Sequence, residues 1–379
     1  MGSIAGAAHV LNRFSADPFV QLASEQWNEG AIACSVIRPA ALPCSGYAAD
    51  AALATVTDTH DRPRHARRHF EKEPGMNSYG PEADSGAVDA AFFRTWADSR
   101  INLSTGLWPD TPSPGTAGPN LTDPAGLEAA QERKLRKLCE LAGVRPGMHV
   151  LDVGCGFGGM LDFLVRDAGA ASAYGIDVED EALREVSARA TPGVDVECAD
   201  YTTFRAPRRF DAVISVSALE YASASWSPSR EEEVTALRGF FERAHEWSKA
   251  GARMAVEVAV TGPAGLTPAF VQAGREMLET VDGKPGTPPT LPNVLTAAQG
   301  IWEPLTVHTH REDATQTIAC WYARLRAARE TIVARWGQNA FERSAHYLQA
   351  ERDAFSEGAL TVALLSFRRC ARPGTGTPE

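Results

Sequence analysis

The segment that most constrains the fold of this chain is VLDVGCGFGGMLDFLVRDAGAASAYGIDV, residues 150–178. An apolar run leads into a glycine turn with the spacing G-x-G-x-x-G from Gly154 to Gly159, and Asp177 ends the next apolar run. This order of strand, glycine turn, helix, strand and acid is typical of a nucleotide-binding β-α-β unit. The pattern predicts a parallel sheet with a nucleotide site at the end of its first strand.

Strand-like and helix-like segments alternate on both sides of that unit. Apolar strands are predicted at residues 149–154, 172–178, 194–200, 210–219, 253–260, 303–309 and 359–367. Because helical segments and short loops separate the strands, the predicted fold class is α/β: a doubly wound, largely parallel, seven-stranded Rossmann-like sheet with helices on both faces. A Pro/Gly-rich insertion, residues 261–300, follows the fifth strand at the edge where such sheets bind ligands.

The chain divides into three regions by composition and periodicity. Residues 1–85 are rich in Ala, Gly, Pro and Ser and have no sustained period, so we predict disorder or a mis-annotated start, with Met76 as the alternative initiator. Residues 86–147 include AVDAAFFRTWADSR and an amphipathic segment, and are predicted to form a helical lid. Residues 148–372 are predicted to form the nucleotide-binding core.

Composition and charge exclude several kinds of partner. A net charge of −11 argues against nucleic acid, because phosphate binding needs a basic face. The seven cysteines include no C-x-x-C pair, and no metal-ligand spacing is present, so no metal is predicted. No apolar run approaches the roughly 18 residues of a membrane span. We therefore expect a cytoplasmic protein that binds a small-molecule acceptor and has no stable membrane association.

The acid that precedes the glycines indicates which nucleotide is bound. Asp152 would repel a pyrophosphate placed at this turn, but it suits S-adenosylmethionine, which has no phosphate and carries a sulfonium and an ammonium group. Asp177 is then expected to accept from the ribose hydroxyls, Asp200 from the adenine amino group, and Tyr201 to lie on the adenine face. The backbone of the predicted donor site is expected to come close to the donor at Gly154, Gly156 and Gly158.

Several blocks of the chain resemble one enzyme family. They are RPGMHVLDVGCGFGG, LEAAQERK, GKPGTPP and ERSAHYLQAERDAF, and the resemblance extends over roughly residues 86–370. Together they look like the cyclopropane-fatty-acid synthase branch of class I S-adenosylmethionine-dependent methyltransferases. The resemblance implies S-adenosylmethionine as methyl donor. It also implies that the segment INLSTGLW closes over the amino-acid end of the donor and brings Ser104 near the donor carboxylate.

The chain departs from this family where cyclopropane-forming members hold a bicarbonate ion. The family's Cys, Glu, His and Tyr ligands fall here on Thr105, Glu220, Val258 and Ala314. Only the glutamate is retained, and Val and Ala cannot hydrogen-bond an anion. The sequence therefore favours simple methyl transfer over cyclopropanation.

Glu220 is the candidate catalytic residue. It lies just past the fourth predicted strand, where it could act as a base or stabilise a cation, or instead orient the substrate or serve a structural role. Tyr221 and Trp226 follow in the same loop and could face a developing cation or pack in the core. Thr105 and Tyr347 complete the candidate acceptor pocket.

These observations predict an S-adenosylmethionine-dependent methyltransferase that acts on a small molecule in natural-product biosynthesis. An alternative is a lipid-modifying enzyme that acts on unsaturated acyl chains at a membrane surface; the acidic net charge opposes it. A third hypothesis, of another class, is a non-catalytic donor-binding protein that regulates a partner enzyme.

Overall fold

The structure is a computed structural model of the 379-residue chain, and it describes residues 88–109, 121–222, 229–278 and 287–371. The chain divides into two units, residues 1–70 and residues 71–379. All described residues belong to the second unit. The predicted extension and Trp226 lie outside the described residues, as does part of the predicted insertion.

Seven strands form one sheet. They are β1 (His149–Val153), β2 (Ser172–Asp177), β3 (Val194–Cys198), β4 (Phe210–Val216), β5 (Ser248–Thr261), β6 (Trp302–Thr309) and β7 (Leu360–Arg369). Their order is β3-β2-β1-β4-β5-β7-β6. The pairs from β3 to β5 are parallel, whereas β7 runs antiparallel to both of its neighbours. The predicted doubly wound, largely parallel, seven-stranded sheet is confirmed.

Helices cover both faces of the sheet. They are α1 (Ala90–Phe93), α2 (Pro124–Leu141), α3 (Gly159–Arg166), α4 (Asp180–Arg189), α5 (Arg230–Trp247), α6 (Pro268–Leu278), α7 (Leu291–Ala298), α8 (Arg311–Ala327) and α9 (Arg329–Ser356). Local sequence fixes several helix starts. Asp123 caps α2 with Pro124 in its first turn, and Ser229 forms a capping box with Glu232 at the start of α5.

The region predicted to be a helical lid is less helical than its periodicity indicates. AVDAAFFRTWADSR forms a helix only over Ala90–Phe93, which the Asp89 side chain caps by accepting from the Phe92 nitrogen at 3.0 Å. The residues from Arg94 to Pro109 are irregular. Buried aromatic side chains, including Trp96, hold this segment against the core by edge-to-face ring contacts, so packing overrides helix periodicity here.

The insertion after β5 is partly helical. The predicted Pro/Gly-rich interruption contains α6 and α7, and residues 279–286 between them lie outside the described residues. α6 packs on α9, and α7 packs on α5. The insertion therefore contributes to both faces of the molecule.

The apolar core lies on both faces of the sheet because successive strand residues point to opposite sides. Val150 and Ala212 belong to one buried cluster, while their chain neighbours Leu151 and Val213 belong to the other. This double burial explains why the central strands read as almost continuous apolar runs. Among the described helices, none has the length and apolar character needed to cross a bilayer.

Candidate functional site

Three acidic residues lie at the carboxyl ends of adjacent strands. Asp152 is the penultimate residue of β1 and pairs in register with Gly175 of β2. Asp177 is the last residue of β2 and pairs with Cys198, the last residue of β3. Asp200 follows two residues beyond β3. The fold thus brings the three predicted donor-site acids to one edge of the sheet.

The glycine turn connects β1 to α3. Gly154 has φ +77°, and a β-carbon there would come within 2.3 Å of the Ala218 β-carbon, so only glycine fits. A β-carbon on Gly156 would meet no atom within 4 Å, which leaves open space above the turn. Gly158, with φ +73°, is the N-cap residue of α3. The turn combines a tight backbone with space for a ligand.

The carboxylate of Asp177 is fixed by backbone donors. Its Oδ2 accepts from the Gly156 nitrogen at 2.7 Å, and its Oδ1 accepts from the Glu179 nitrogen at 3.0 Å. Burial raises the pKa of this carboxyl group, and the backbone hydrogen bonds oppose the rise. Each oxygen retains a further lone pair, so the arrangement is compatible with the two predicted ribose hydrogen bonds.

Asp152 is a buried carboxylate with an unpartnered oxygen. The residue is 1% exposed, and its Oδ1 has no hydrogen-bond partner among the described residues. Burial raises its pKa to about 7, the charge of Asp177 adds to the rise, and Lys134 opposes it. Leaving a buried acceptor unpaired costs free energy, and a cationic ligand would recover that cost. This fits the sulfonium and ammonium groups predicted for the donor.

Lys134 is a functional candidate that the sequence reasoning missed. It is fully buried on α2, and its Nζ donates to the Ser104 hydroxyl at 2.5 Å. Burial lowers its pKa, and the charges of Glu257, Asp98 and Asp152 oppose that change. A signal was available in the sequence, because Lys134 falls on the apolar stripe of the amphipathic segment.

Glu257 was missed as well. It is fully buried in the middle of β5, where Oε1 accepts from the Thr105 nitrogen at 2.9 Å and Oε2 has no partner among the described residues. Burial raises its pKa, while Lys134 is the largest opposing influence. The signal was a single acid inside the apolar run RMAVEVAV. Together, Lys134 and Glu257 hold the segment that carries Ser104 and Thr105.

The same segment is also anchored on α8. The Gly106 nitrogen donates to the Thr317 hydroxyl at 3.1 Å, and the Trp108 indole nitrogen donates to that hydroxyl at 3.0 Å. The Trp108 backbone nitrogen donates to Asp313 at 2.6 Å. These bonds place the predicted lid segment between α2, β5 and α8.

Glu220 lies in a short 3-10 turn, Leu219–Tyr221, after β4. Its Oε1 accepts from the Ala259 nitrogen at 2.5 Å, and its buried Oε2 has no partner among the described residues. Burial raises its pKa to about 8; backbone hydrogen bonds lower it, and the charges of Glu257 and Glu351 raise it further. A carboxyl group tuned in this way can exchange a proton near neutral pH.

Glu351 is a second carboxylate that sequence reasoning did not select, and it lies beside Tyr347, a predicted residue of the acceptor pocket. Glu351 of α9 accepts from the Tyr347 hydroxyl at 3.4 Å, and burial raises its pKa to about 7. The Tyr347 ring lies 6.5 Å from that of Phe270 on α6. Tyr221, the chain neighbour of Glu220, is 52% exposed.

Two of the positions that were predicted to align with the family's bicarbonate ligands are apolar and fully buried. Val258 and Ala314 are each 0% exposed, in β5 and α8. Thr105 uses its backbone nitrogen to bond Glu257. Glu220 is therefore the only acid among the four aligned positions.

Asp200 and Tyr201 form a turn after β3. Asp200 Oδ1 accepts from the Thr202 nitrogen at 2.8 Å and from the Thr202 hydroxyl at 2.7 Å. The Tyr201 ring meets the Phe240 ring edge to face at 5.7 Å. The turn fixes both residues at the sheet edge, and their predicted contacts with adenine stay predictions. Within the described ranges, no group of three His, Cys, Asp or Glu side chains could hold a metal ion.

Comparison with known proteins identifies the family. Residues 85–365 match the family described as mycolic acid cyclopropane synthetase. The chain belongs to this family, which confirms its resemblance to the cyclopropane-fatty-acid synthase branch of class I S-adenosylmethionine-dependent methyltransferases.

Its relatives have acceptors of different kinds. A probable fatty acid methyltransferase of Pseudomonas putida is 30% identical over 173 residues, or 44% of this chain and 40% of that protein. N-methyltransferase 4 of Papaver somniferum is 25% identical over 176 residues, or 41% of this chain and 49% of that protein. The chain thus spans less than half the length of either relative. The crystal structure of mycolic acid cyclopropane synthase CmaA1 complexed with SAH and CTAB has a TM-score of 0.62 at 19% identity, and the match covers 77% of this chain and 100% of that one. This likeness confirms the fold.

Proposed function

We propose that this protein transfers a methyl group from S-adenosylmethionine directly to a small-molecule acceptor of the natural-product type. The observation that carries the proposal is the unpartnered oxygen of Asp152, buried at the glycine turn. A carboxylate at this position disfavours a pyrophosphate and favours a cationic, phosphate-free nucleoside.

The residues present fit that donor. Asp152 would face its positive charge, Asp177 would accept from the ribose hydroxyls, and the open space above Gly156 would admit the backbone contact. Ser104, held by buried Lys134, would lie toward the donor carboxylate. When bound, S-adenosylmethionine supplies a methyl group on a sulfonium, and in-line attack by a nucleophile transfers it.

The acceptor side of the site supports direct methylation rather than cyclopropane formation. Cyclopropanation needs a base for the cationic intermediate. Two of the four positions aligned with the bicarbonate ligands are the buried apolar residues Val258 and Ala314, which cannot hold that ion. Glu220 alone would repel such an anion. Glu220 instead serves as the base that removes a proton from the acceptor, because its free oxygen is buried and its pKa is raised to about 8.

Lipid modification is the second candidate function. The family match and the name of the Pseudomonas putida relative favour it. An unsaturated acyl chain has no proton to lose before methyl attack, and it would have to lie beside the buried carboxylate of Glu220. Desolvating that carboxylate against hydrocarbon is unfavourable, which supports a polar acceptor instead.

The test is the structure of the product. The enzyme is incubated with methyl-labelled donor and with extracts of the cells that make it, with and without bicarbonate in the buffer. The products are then analysed by proton NMR. We expect a new methyl signal and a rate that does not depend on bicarbonate. Upfield cyclopropyl signals, or a rate that collapses without bicarbonate, would establish the lipid-type reaction.

A further inference from the structure

Two side chains from outside the glycine turn bind its backbone at neighbouring residues. The Gly156 nitrogen donates to Asp177 Oδ2 at 2.7 Å, and the Phe157 carbonyl accepts from Arg189 Nη2 at 2.6 Å. Asp177 ends β2 just before α4, and Arg189 is the last residue of α4. The turn is therefore held from both ends of α4.

The Arg189 side chain is itself fixed. Its Nε lies 3.0 Å from Oδ2 of Asp162, in the first turn of α3, and the two side chains are 28% and 13% exposed. Asp162 Oδ1 accepts from the Thr191 hydroxyl at 2.8 Å. Because a guanidinium is planar and its donors point in fixed directions, pairing with Asp162 directs Nη2 toward the Phe157 carbonyl.

Gly158 leaves the space that Arg189 occupies. A β-carbon on Gly158 would lie 2.7 Å from Nη2 of Arg189 and 2.8 Å from Cγ2 of Val186. The Gly158 nitrogen donates to the Cys155 carbonyl at 2.9 Å, so the peptide group between Phe157 and Gly158 is bonded at both its oxygen and its nitrogen. Glycine accepts either sign of φ, and without Arg189 this peptide group would be freer to reverse.

The same face of α4 also contacts the region predicted to be a lid. The Phe157 ring lies 5.5 Å from the ring of Phe93 in that region. Arg94, the next residue, pairs with Glu185 of α4 at 2.7 Å. Glu185 and Arg189 are four residues apart and therefore lie on one face of the helix. This face connects the turn to the chain segment that packs on it.

We propose that Arg189 is a positioning residue for binding of the methyl donor. By holding the Phe157 carbonyl, it keeps the turn in the conformation that leaves open space above Gly156. Arg189 acts through the backbone and is not a catalytic residue. This inference rests on the donor site of the proposed function, and it identifies a residue outside that site on which donor affinity depends.

The first test is calorimetric titration of the full chain with SAH. Arg189→Met keeps the apolar stem of the side chain but removes its donors. We expect the dissociation constant of Arg189→Met to rise at least about tenfold, because part of the binding free energy is then used to order the turn. Arg189→Lys restores one donor and the charge, and should bind SAH within about threefold of the wild type.

Arg238→Met is the matched control. Arg238 of α5 donates to the Gln299 carbonyl at 3.2 Å and pairs with Glu242 at 3.3 Å, so its loss removes the same kinds of bond at another place. This variant should bind SAH within about twofold of the wild type, as expected for an independent site. Thermal unfolding without SAH compares the stability of the variants. If Arg189→Met does not fold, Arg189→Gln replaces it in the same titration.

A second readout separates positioning from a general loss of stability. With extracts of the producing cells as the source of acceptor, SAH release is measured against donor concentration. Arg189→Met should raise the donor KM, whereas kcat should stay within about twofold of the wild type, because saturating donor restores the turn. A lower kcat with an unchanged donor KM would overturn the positioning role.

The outcomes distinguish this inference from the proposed function. If the wild type binds SAH and Arg189→Met binds it equally well, or if Arg238→Met loses as much affinity, the positioning role of Arg189 fails and the methyltransferase assignment stands. If the wild type does not bind SAH, the donor site of the proposed function fails as well. Weak binding by Arg189→Met with recovery in Arg189→Lys supports both.

Discussion

The ammonium group of Lys134 donates to the hydroxyl of Ser104 at 2.5 Å, inside a region where Lys134 has no solvent contact. The lysine also faces the acids Asp98, Asp152 and Glu257. One buried cation thus connects the lid segment, the strand that ends at the glycine turn, and β5. Its removal would leave several buried carboxylates without a counter-charge.

Lys134→Met should therefore destabilise the protein. Breaking a buried charge network by removing one partner costs about 3 to 5 kcal/mol. Urea unfolding followed by circular dichroism measures the change in free energy of unfolding. Lys137→Met, on the same helix with a partly exposed side chain and only a distant partner, is the matched control and should cost less than about 1 kcal/mol. Equal effects of the two changes would contradict the network.

Asp177→Ala should weaken binding of S-adenosylhomocysteine by about 2 to 3 kcal/mol, because hydrogen bonds to a charged acceptor are lost. Calorimetric titration measures the dissociation constant. Asp180→Ala, an exposed acid three residues away, should bind like the wild type. Unchanged affinity in Asp177→Ala would show that Asp177 does not bind the ribose. Tight binding of NAD to the wild type would show that the sheet edge holds another nucleotide.

Donor affinity should depend on pH through Asp152. Its pKa is raised from 3.8 to about 7, so a cationic donor must select the ionised form and should bind about tenfold more tightly at about pH 8 than at about pH 6. The folded protein binds more protons than the unfolded chain between those two pKa values. The contribution of Asp152 to stability therefore falls as pH rises from 3.8 to about 7. Asp152→Asn should flatten both pH profiles, which calorimetry and thermal unfolding would reveal; a wild-type pH dependence in Asp152→Asn would assign it to another group.

Glu220→Gln should reduce turnover by about 100-fold or more while donor binding is unchanged, as expected for loss of a general base. Because the pKa of Glu220 is raised to about 8, the wild-type kcat/KM should rise with pH up to that value, and the variant should not follow this rise. Glu231→Gln, an exposed acid at the start of α5, is the control. A variant that retains full turnover would reduce Glu220 to a structural role.

A chain that begins at Met76 should fold and retain activity. The family match begins at residue 85, and residues 71–379 form a unit of their own. Thermal unfolding and donor titration of the shortened chain provide the measurement. If the shortened chain binds donor but loses turnover, the N-terminal residues belong to the catalytic machinery.

The order of elements and the grouping of three acids at one edge of the sheet were predictable from the sequence. Apolar runs of strand length, the glycine turn at Gly154 and the acids at strand ends are local patterns, and a parallel sheet aligns its strand ends without further information. Asp152 could be interpreted from charge alone, because phosphate and sulfonium have opposite preferences for a carboxylate. The short extent of α1 could not be predicted, since packing of Phe92 and Trp96 decides it.

What only the tertiary structure decided is which charges are buried together. Lys134, Glu257 and Glu351 lie in three separate segments that periodicity assigns to helices and a strand. Lys134 and Glu257 influence each other, and Glu351 becomes buried, only after the sheet and helices pack. Burial depends on contacts between residues that are distant in the chain, and burial is the main influence on the pKa of each carboxyl group. The sequence therefore determined which acids lie at one edge of the sheet, whereas folding determined which charged side chains are buried.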